Sequence, residues 1–178
     1  HRTGRRFFES YEIAIRHHQA VYGEAPVFER FCHFWGNHFT IIDKNKLAVF
    51  NTGPMQRDVI RPGMNGSFAD LVYNVTISWP MLKSLDNFQS RGPNSKFNIY
   101  RKQKGKPQKG LNENHARELL ELHTVSPECG YTQEDVINAA NIMTGWGFVR
   151  KGKKRIHVED PDVGYIADVH EPGTHTVL

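Results

Sequence analysis

The sequence predicts a mainly α protein: an irregular multi-helix bundle with long loops and a small β-like or irregular segment at its C-terminal end. Three observations carry that expectation. Apolar residues recur at helical spacing in several windows. Start and stop signals bracket those windows. After Trp146 the periodicity is lost, leaving short β-prone runs at Phe148-Val149, Arg155-Ile156-His157-Val158 and Tyr165-Ile166-Ala167.

The first helix is expected over residues 6–22, where Phe7, Tyr11, Ala14, Ile15, His18 and Tyr22 share a face. Glu12 and Arg16 stand four apart on its polar side, and Gly23 stops it. Pro26 suits the first turn of a second helix whose face carries Phe28, Phe31, Cys32, Trp35 and Phe39, fraying at Gly36-Asn37. Residues 39–50 read as including a short strand. Gly53-Pro54 and Pro62-Gly63 read as the bounds of a loop. Ser67 is placed to cap a helix carrying Phe68, Leu71, Val72 and Val75, and Pro80 to start a short one with Met81, Leu82 and Leu85. Two further helices follow, over residues 112–123 and from Thr132 onward. Thr132 with Asp135 forms a capping-box variant, Val136, Ala139, Ala140 and Met143 make the buried stripe, and Gly145 ends it.

At 178 residues the chain suits one helical domain. It opens on His1-Arg2-Thr3-Gly4 and closes on Thr176-Val177-Leu178, so residues 1–178 are read as a fragment of a longer domain. Residues 147–178 form its irregular or β-like tail. Hydrophobic residues at 38% and charged residues at 24% exclude a disordered chain. No apolar run approaches the roughly 20 residues of a membrane helix, so no transmembrane segment is expected in this chain. Cys32 and Cys129 are too few for a disulfide scaffold and form no CxxC pair.

The net charge is +4, and where that charge sits matters more than its sum. Residues 86–110 read as one long basic loop holding Arg91, Lys96, Arg101, Lys102, Lys104, Lys106 and Lys109, with Asp86 its only acid. A solvated loop is the plain reading. The functional one is an anion or polyanion contact, with Phe97 and Tyr100 as candidate stacking groups.

On the 112–123 helix, Ala116, Leu119, Leu120 and His123 share one face. Asn114, Arg117, Glu118 and Glu121 gather on the other, with Glu113 at its edge. Arg117 is bracketed at four-residue spacing by Glu113 and Glu121. That face is either solvent-exposed and laced with ion pairs, or turned inward as a polar centre. Ten histidines invite a check for metal chemistry. The sequence holds no HExxH and no Glu-x-x-His pair, and Arg117 argues against a cation near His115, Glu118 and Glu121, so no metal site is predicted. GxSxG, GxGxxG and Walker patterns are lacking as well, and no cofactor is evident.

Several blocks, in order, resemble a known family. They are Phe34-Trp35-Gly36-Asn37-His38-Phe39-Thr40; Ile60-Arg61-Pro62 with Gly66-Ser67-Phe68-Ala69-Asp70-Leu71; Pro80-Met81-Leu82 with Gly92-Pro93-Asn94-Ser95; the stretch 110–125 with Gly130-Tyr131-Thr132-Gln133-Glu134-Asp135-Val136 and Thr144-Gly145-Trp146; and His170-Glu171-Pro172-Gly173. Over about residues 28–178 the chain resembles the bacterial domain of unknown function numbered eighteen hundred. The resemblance implies a mostly helical protein, exported to the periplasm or outside the cell, with a sulfatase-like exported partner. It carries no reaction. It shifts the weighting of the 112–123 helix toward an inward polar face, centred on Asn114, Arg117, Glu118 and Glu121, with His123 a core residue on the other side.

Two functional readings follow, and whether the protein is an enzyme stays open between them. The first is a cell-envelope protein that binds a partner or polyanion, with Arg61, Asn112, Asn114, Arg117, Lys102, Lys104 and Lys106 as binding residues; nucleic acid is not the expected partner. The second is a carboxylate- or metal-assisted hydrolase: Glu118 or Glu121 as general base, Arg117 as anion clamp, His38 or His170 as acid or ligand. A duller alternative makes all these polar blocks structural.

Overall fold

The computed structural model describes residues 2–41, 52–148 and 163–178. The described residues are mainly helical, as the periodicity predicts, with a small antiparallel sheet near the C-terminal end. The chain divides into two compact units, His1–Ser84 and Leu85–Leu178.

In the first unit, α1 (Arg2–Tyr22) precedes α2 (Pro26–His38), which starts with proline in its first turn as expected. The expected apolar face of α1 does not form a core: Phe7, Tyr11, Ile15 and Tyr22 are exposed. Its polar side makes the contacts instead. Arg16 Nη1 donates to Gln56 Oε1 at 2.9 Å, and Glu12 lies 3.9 Å from Arg57. Glu12 and Arg16 therefore reach two separate partners, adjacent residues at the start of the π-helical segment Gln56–Ile60. On α2, Cys32 is buried and Trp35 stacks on Phe39 and against Phe68, while Phe31 stays exposed.

The segment read as a loop between Gly53-Pro54 and Pro62-Gly63 is helical. α3 (Thr52–Met55) runs through a π-helical turn (Gln56–Ile60) into α4 (Arg61–Gly63). Pro54 sits in the first turn, where its missing N–H has no helical partner to lose. Pro62 would break a regular helix. The wider turn before it, in which the Arg61 N–H donates to Gln56 O, lets the chain pass the ring. The expected strand within residues 39–50 falls almost wholly outside the described residues. α5 (Phe68–Thr76) is capped as predicted, Ser67 Oγ accepting from the Asp70 N–H, and buries Leu71 and Val75. α6 (Trp79–Ser84) buries Pro80, Met81 and Leu82.

The second unit begins with a 3-10 turn (Asn87–Gln89). The stretch expected to be one long basic loop contains α7 (Lys96–Gln103), whose N-cap Ser95 accepts from the Asn98 N–H. α8 (Asn114–Glu118) continues as a π-helical turn (Leu119–Thr124), followed by a 3-10 turn (Pro127–Cys129). α9 (Gln133–Met143) carries the full Thr132–Asp135 capping box. Ala116 and Leu120 pack with Val136, Ala139, Ala140 and Met143 to form this unit's core. β1 (Trp146–Phe148) pairs antiparallel with β2 (Val163–Tyr165), Trp146 opposite Tyr165. The β-prone run 155–158 lies outside the described residues. A last 3-10 turn (Ala167–Val169) leads to His170. Cys32 and Cys129 are both free thiols.

Candidate functional site

The inward polar centre expected on the 112–123 helix is not there. Asn114 is exposed, and Arg117, Glu118 and Glu121 are only part-covered. Packing of α8 onto α9 turns the other face inward, burying His115, Ala116, Leu120 and His123. Arg117 Nη2 reaches Glu113 Oε2 at 3.1 Å and Gln133 Oε1 at 2.9 Å, while Gln133 Nε2 donates to the same Glu113 oxygen. Glu121 does not join, because the π-helical turn carries it off the line of a regular i,i+4 pair. The half-exposed i,i+4 pair of Arg117 with Glu113 contributes about 0.2–0.5 kcal/mol.

What is buried on this helix is histidine. His115 is fully enclosed, and neither ring nitrogen has a hydrogen-bond partner among the described residues. Burial, helped by the nearby His123, pulls its pKa down to about 3, so the ring is neutral at ordinary pH. His123 is buried as expected.

The polar network of this unit lies elsewhere, around Gly92-Pro93-Asn94-Ser95. The Glu171 carboxylate is buried and accepts from the Asn94 backbone N–H at 2.7 Å and from Asn94 Nδ2 at 2.6 Å. Glu171's own N–H donates to Thr144 Oγ1, and the Gly92 N–H donates to Val169 O. Gly92 sits so close to Glu171 that a Cβ would lie 2.5 Å from its backbone N and Cα. His170 Nδ1 pairs with Thr144, and its ring leans on Tyr165. Asn112 is pinned in the same way: its N–H donates to Ser90 Oγ, its amide to the Leu85 and Asp86 carbonyls. It positions loops and presents no free side-chain amide. Asn94, Asn98, Thr144 and Glu171 were not among the residues expected to matter. The Gly-Pro-Asn-Ser and His-Glu-Pro-Gly blocks were the available signal.

This network supports a basic knuckle. Buried Asn98 donates from Nδ2 to the Gly92 and Lys109 carbonyls and accepts at Oδ1 from the Lys109 N–H, 2.8 Å away. The Arg91 N–H donates to Gly110 O, closing the base. At the tip Arg101 Nε donates to Pro107 O at 2.7 Å, and Gly105 takes φ +63°, the left-handed turn that glycine adopts without steric cost. The side chains presented are Lys96, Lys102, Lys104, Lys106 and Lys109, all exposed, and none is in an ion pair among the described residues. Phe97, expected as a stacking group, has the Arg91 and Arg101 guanidiniums over its ring at 5.7 and 5.6 Å; Tyr100 is exposed with Lys104 over its ring. Half-buried Arg91 gives Nη1 to the Phe88 and Ser90 carbonyls, and burial holds its pKa below the usual guanidinium value.

In the first unit, Arg61 is a clamp. Nη1 and Nη2 donate to Glu29 Oε2 and Oε1 at 2.7 and 2.6 Å, with the guanidinium over Phe28. The Arg61 hydrogen bonds and charge hold the Glu29 carboxyl below its ordinary value, against burial that pushes the other way. His38 stands edge-on to Trp35 and Phe39. Glu29→Ala leaves a guanidinium that is 29% exposed without its partner. We expect a loss of about 2 kcal/mol, discounted from the cost of breaking a fully buried pair. An unchanged denaturation midpoint would show that the clamp contributes nothing.

Among the described residues, the fold and this site define a helical protein that exposes a braced cluster of cations. The chain belongs to the family described as "Protein of unknown function (DUF1800)", whose model matches residues 6–178 and so takes in nearly all of α1. No curated protein and no solved structure matches it.

Proposed function

We propose that this protein binds an anionic partner through the basic knuckle at residues 96–109. The observation that carries this reading is five exposed lysines on a backbone pinned at both legs, with no acid in the stretch. Like charges held together raise the local potential, and a fixed backbone spares the ligand the cost of ordering a loop. The setting that the resemblance implies, an exported protein of the bacterial envelope, would place the knuckle among anionic groups. The hydrolase reading needs a base, a clamp and an acid in one place. Within the second unit Arg117 is engaged by Glu113 and Gln133 and His170 by Thr144, so no observation raises it above binding.

The test is a titration with polyphosphate at low and high salt, on the protein and on a variant with Lys102, Lys104, Lys106 and Lys109 each changed to Gln. Binding should weaken with salt in the protein, and drop at least about tenfold in the variant at low salt. Equal binding by both would remove the knuckle from the function.

A further inference from the structure

The knuckle displays more than charge. Lys96, Ile99, Tyr100 and Gln103 fall on one face of α7, opposite the buried anchor Asn98, and all four are exposed. Ile99 is 47% and Tyr100 57% exposed, so an aliphatic and an aromatic side chain form a ridge on the outward face. Lys96 lies along that ridge. Lys104 reaches back over the Tyr100 ring at 5.7 Å, and the exposed Lys102 and Lys106 are tied by backbone bonds to the C-terminal end of the same helix. A soluble polyanion gains from the lysines and nothing from Ile99. A bilayer surface with anionic headgroups gains from both. Lysine heads meet phosphates while their stems and the Tyr100 ring settle at headgroup level, and Ile99 enters the acyl boundary. The bracing matters for the same reason: a ridge held on a short capped helix enters as a unit, without first being ordered.

We infer that the anionic partner is a lipid surface, which the protein meets with the Ile99–Tyr100 ridge of α7 inserted between flanking lysines. This rests on the anion-binding reading above and narrows it to one class of partner.

The experiment is co-sedimentation with vesicles of phosphatidylcholine alone and of phosphatidylcholine mixed with phosphatidylglycerol, run beside the polyphosphate titration. Three proteins are compared: the unaltered protein, the four-lysine variant, and a double variant Ile99→Ser with Tyr100→Ser. All these positions are exposed, and a thermal melt checks that each variant is folded. The unaltered protein should sediment with the anionic vesicles and far less with the neutral ones. Each lysine removed should weaken partition about fivefold. The double variant should lose about tenfold or more on vesicles while binding polyphosphate unchanged, because the ridge serves only the lipid. Polyphosphate binding without vesicle binding overturns the lipid inference and leaves the anion-binding reading standing. Vesicle binding unaffected by the double variant overturns the inference likewise. Binding to neither overturns both.

Discussion

Gly92→Ala is expected to destabilise the second unit by about 3 kcal/mol, near the upper end of what overpacking costs. The added methyl would lie 2.5 Å from Glu171 N and Cα and 2.6 Å from its carboxylate. Neither side can yield. The Gly92 N–H is held by Val169 O, and its carbonyl accepts from Ser95 and Asn98. Glu171 is fixed through Thr144 and Asn94. Relief means breaking that set of hydrogen bonds, several of them buried, and each polar group left unpaired adds its own penalty. Gly92 has no positive φ, so the effect is steric rather than conformational. Measured against typical domain stabilities of about 5–15 kcal/mol, the loss is large. Denaturation midpoints read it directly. Hydrogen exchange should speed up first in residues 90–112, where the legs of the knuckle meet. A Gly92→Ala protein as stable as the parent would refute the close approach.

His115 should make the protein acid-labile over a defined window. Its folded-state pKa of about 3 lies below the ordinary histidine value of 6.5. Folding therefore favours the neutral ring. The contribution is complete above pH 6.5 and is lost as pH falls toward 3, at up to about 1.4 kcal/mol per pH unit. By pH 4.5 this single ring would cost about 3 kcal/mol. Glu29 adds a loss of its own, with the same sign but lower down: its depressed carboxyl stabilises the fold above the ordinary value of 4.5 and gives way as the pH drops further. His115→Leu separates the two contributions, since leucine keeps an apolar volume in the pocket and cannot titrate. The difference in stability between variant and parent should grow steadily below pH 6.5. Parallel curves would mean that the ring is hydrated or partnered rather than sealed.

Both predictions concern residues whose importance lies in their surroundings, and that marks where sequence reasoning stopped. The caps at Ser67 and Thr132 and the stripe from Val136 to Met143 were legible, because capping and helical burial are set by neighbours three or four residues away. The family was legible from ordered blocks. The turn of the 112–123 helix about its own axis was not. Both of its faces carry plausible core or site residues, and only the α8–α9 packing decides that His115 goes in and Arg117 stays out. Pro62 read as a breaker because the π-helical turn that admits it leaves no simple pattern in composition. The lysines of residues 96–109 were visible as charge, whereas the hydrogen bonds of Asn98 that brace them join residues eleven apart through backbone groups.

The amino-acid sequence by itself determined a helical protein of the DUF1800 family with a basic stretch over residues 86–110, because periodicity, caps and charge are local properties of the chain. Only the tertiary structure decided that the stretch is a braced knuckle with an apolar ridge, and that the central helix buries histidines rather than its charges. Those outcomes depend on which groups distant parts of the chain leave unpaired, and burial penalises an unpaired charge far more than a neutral ring.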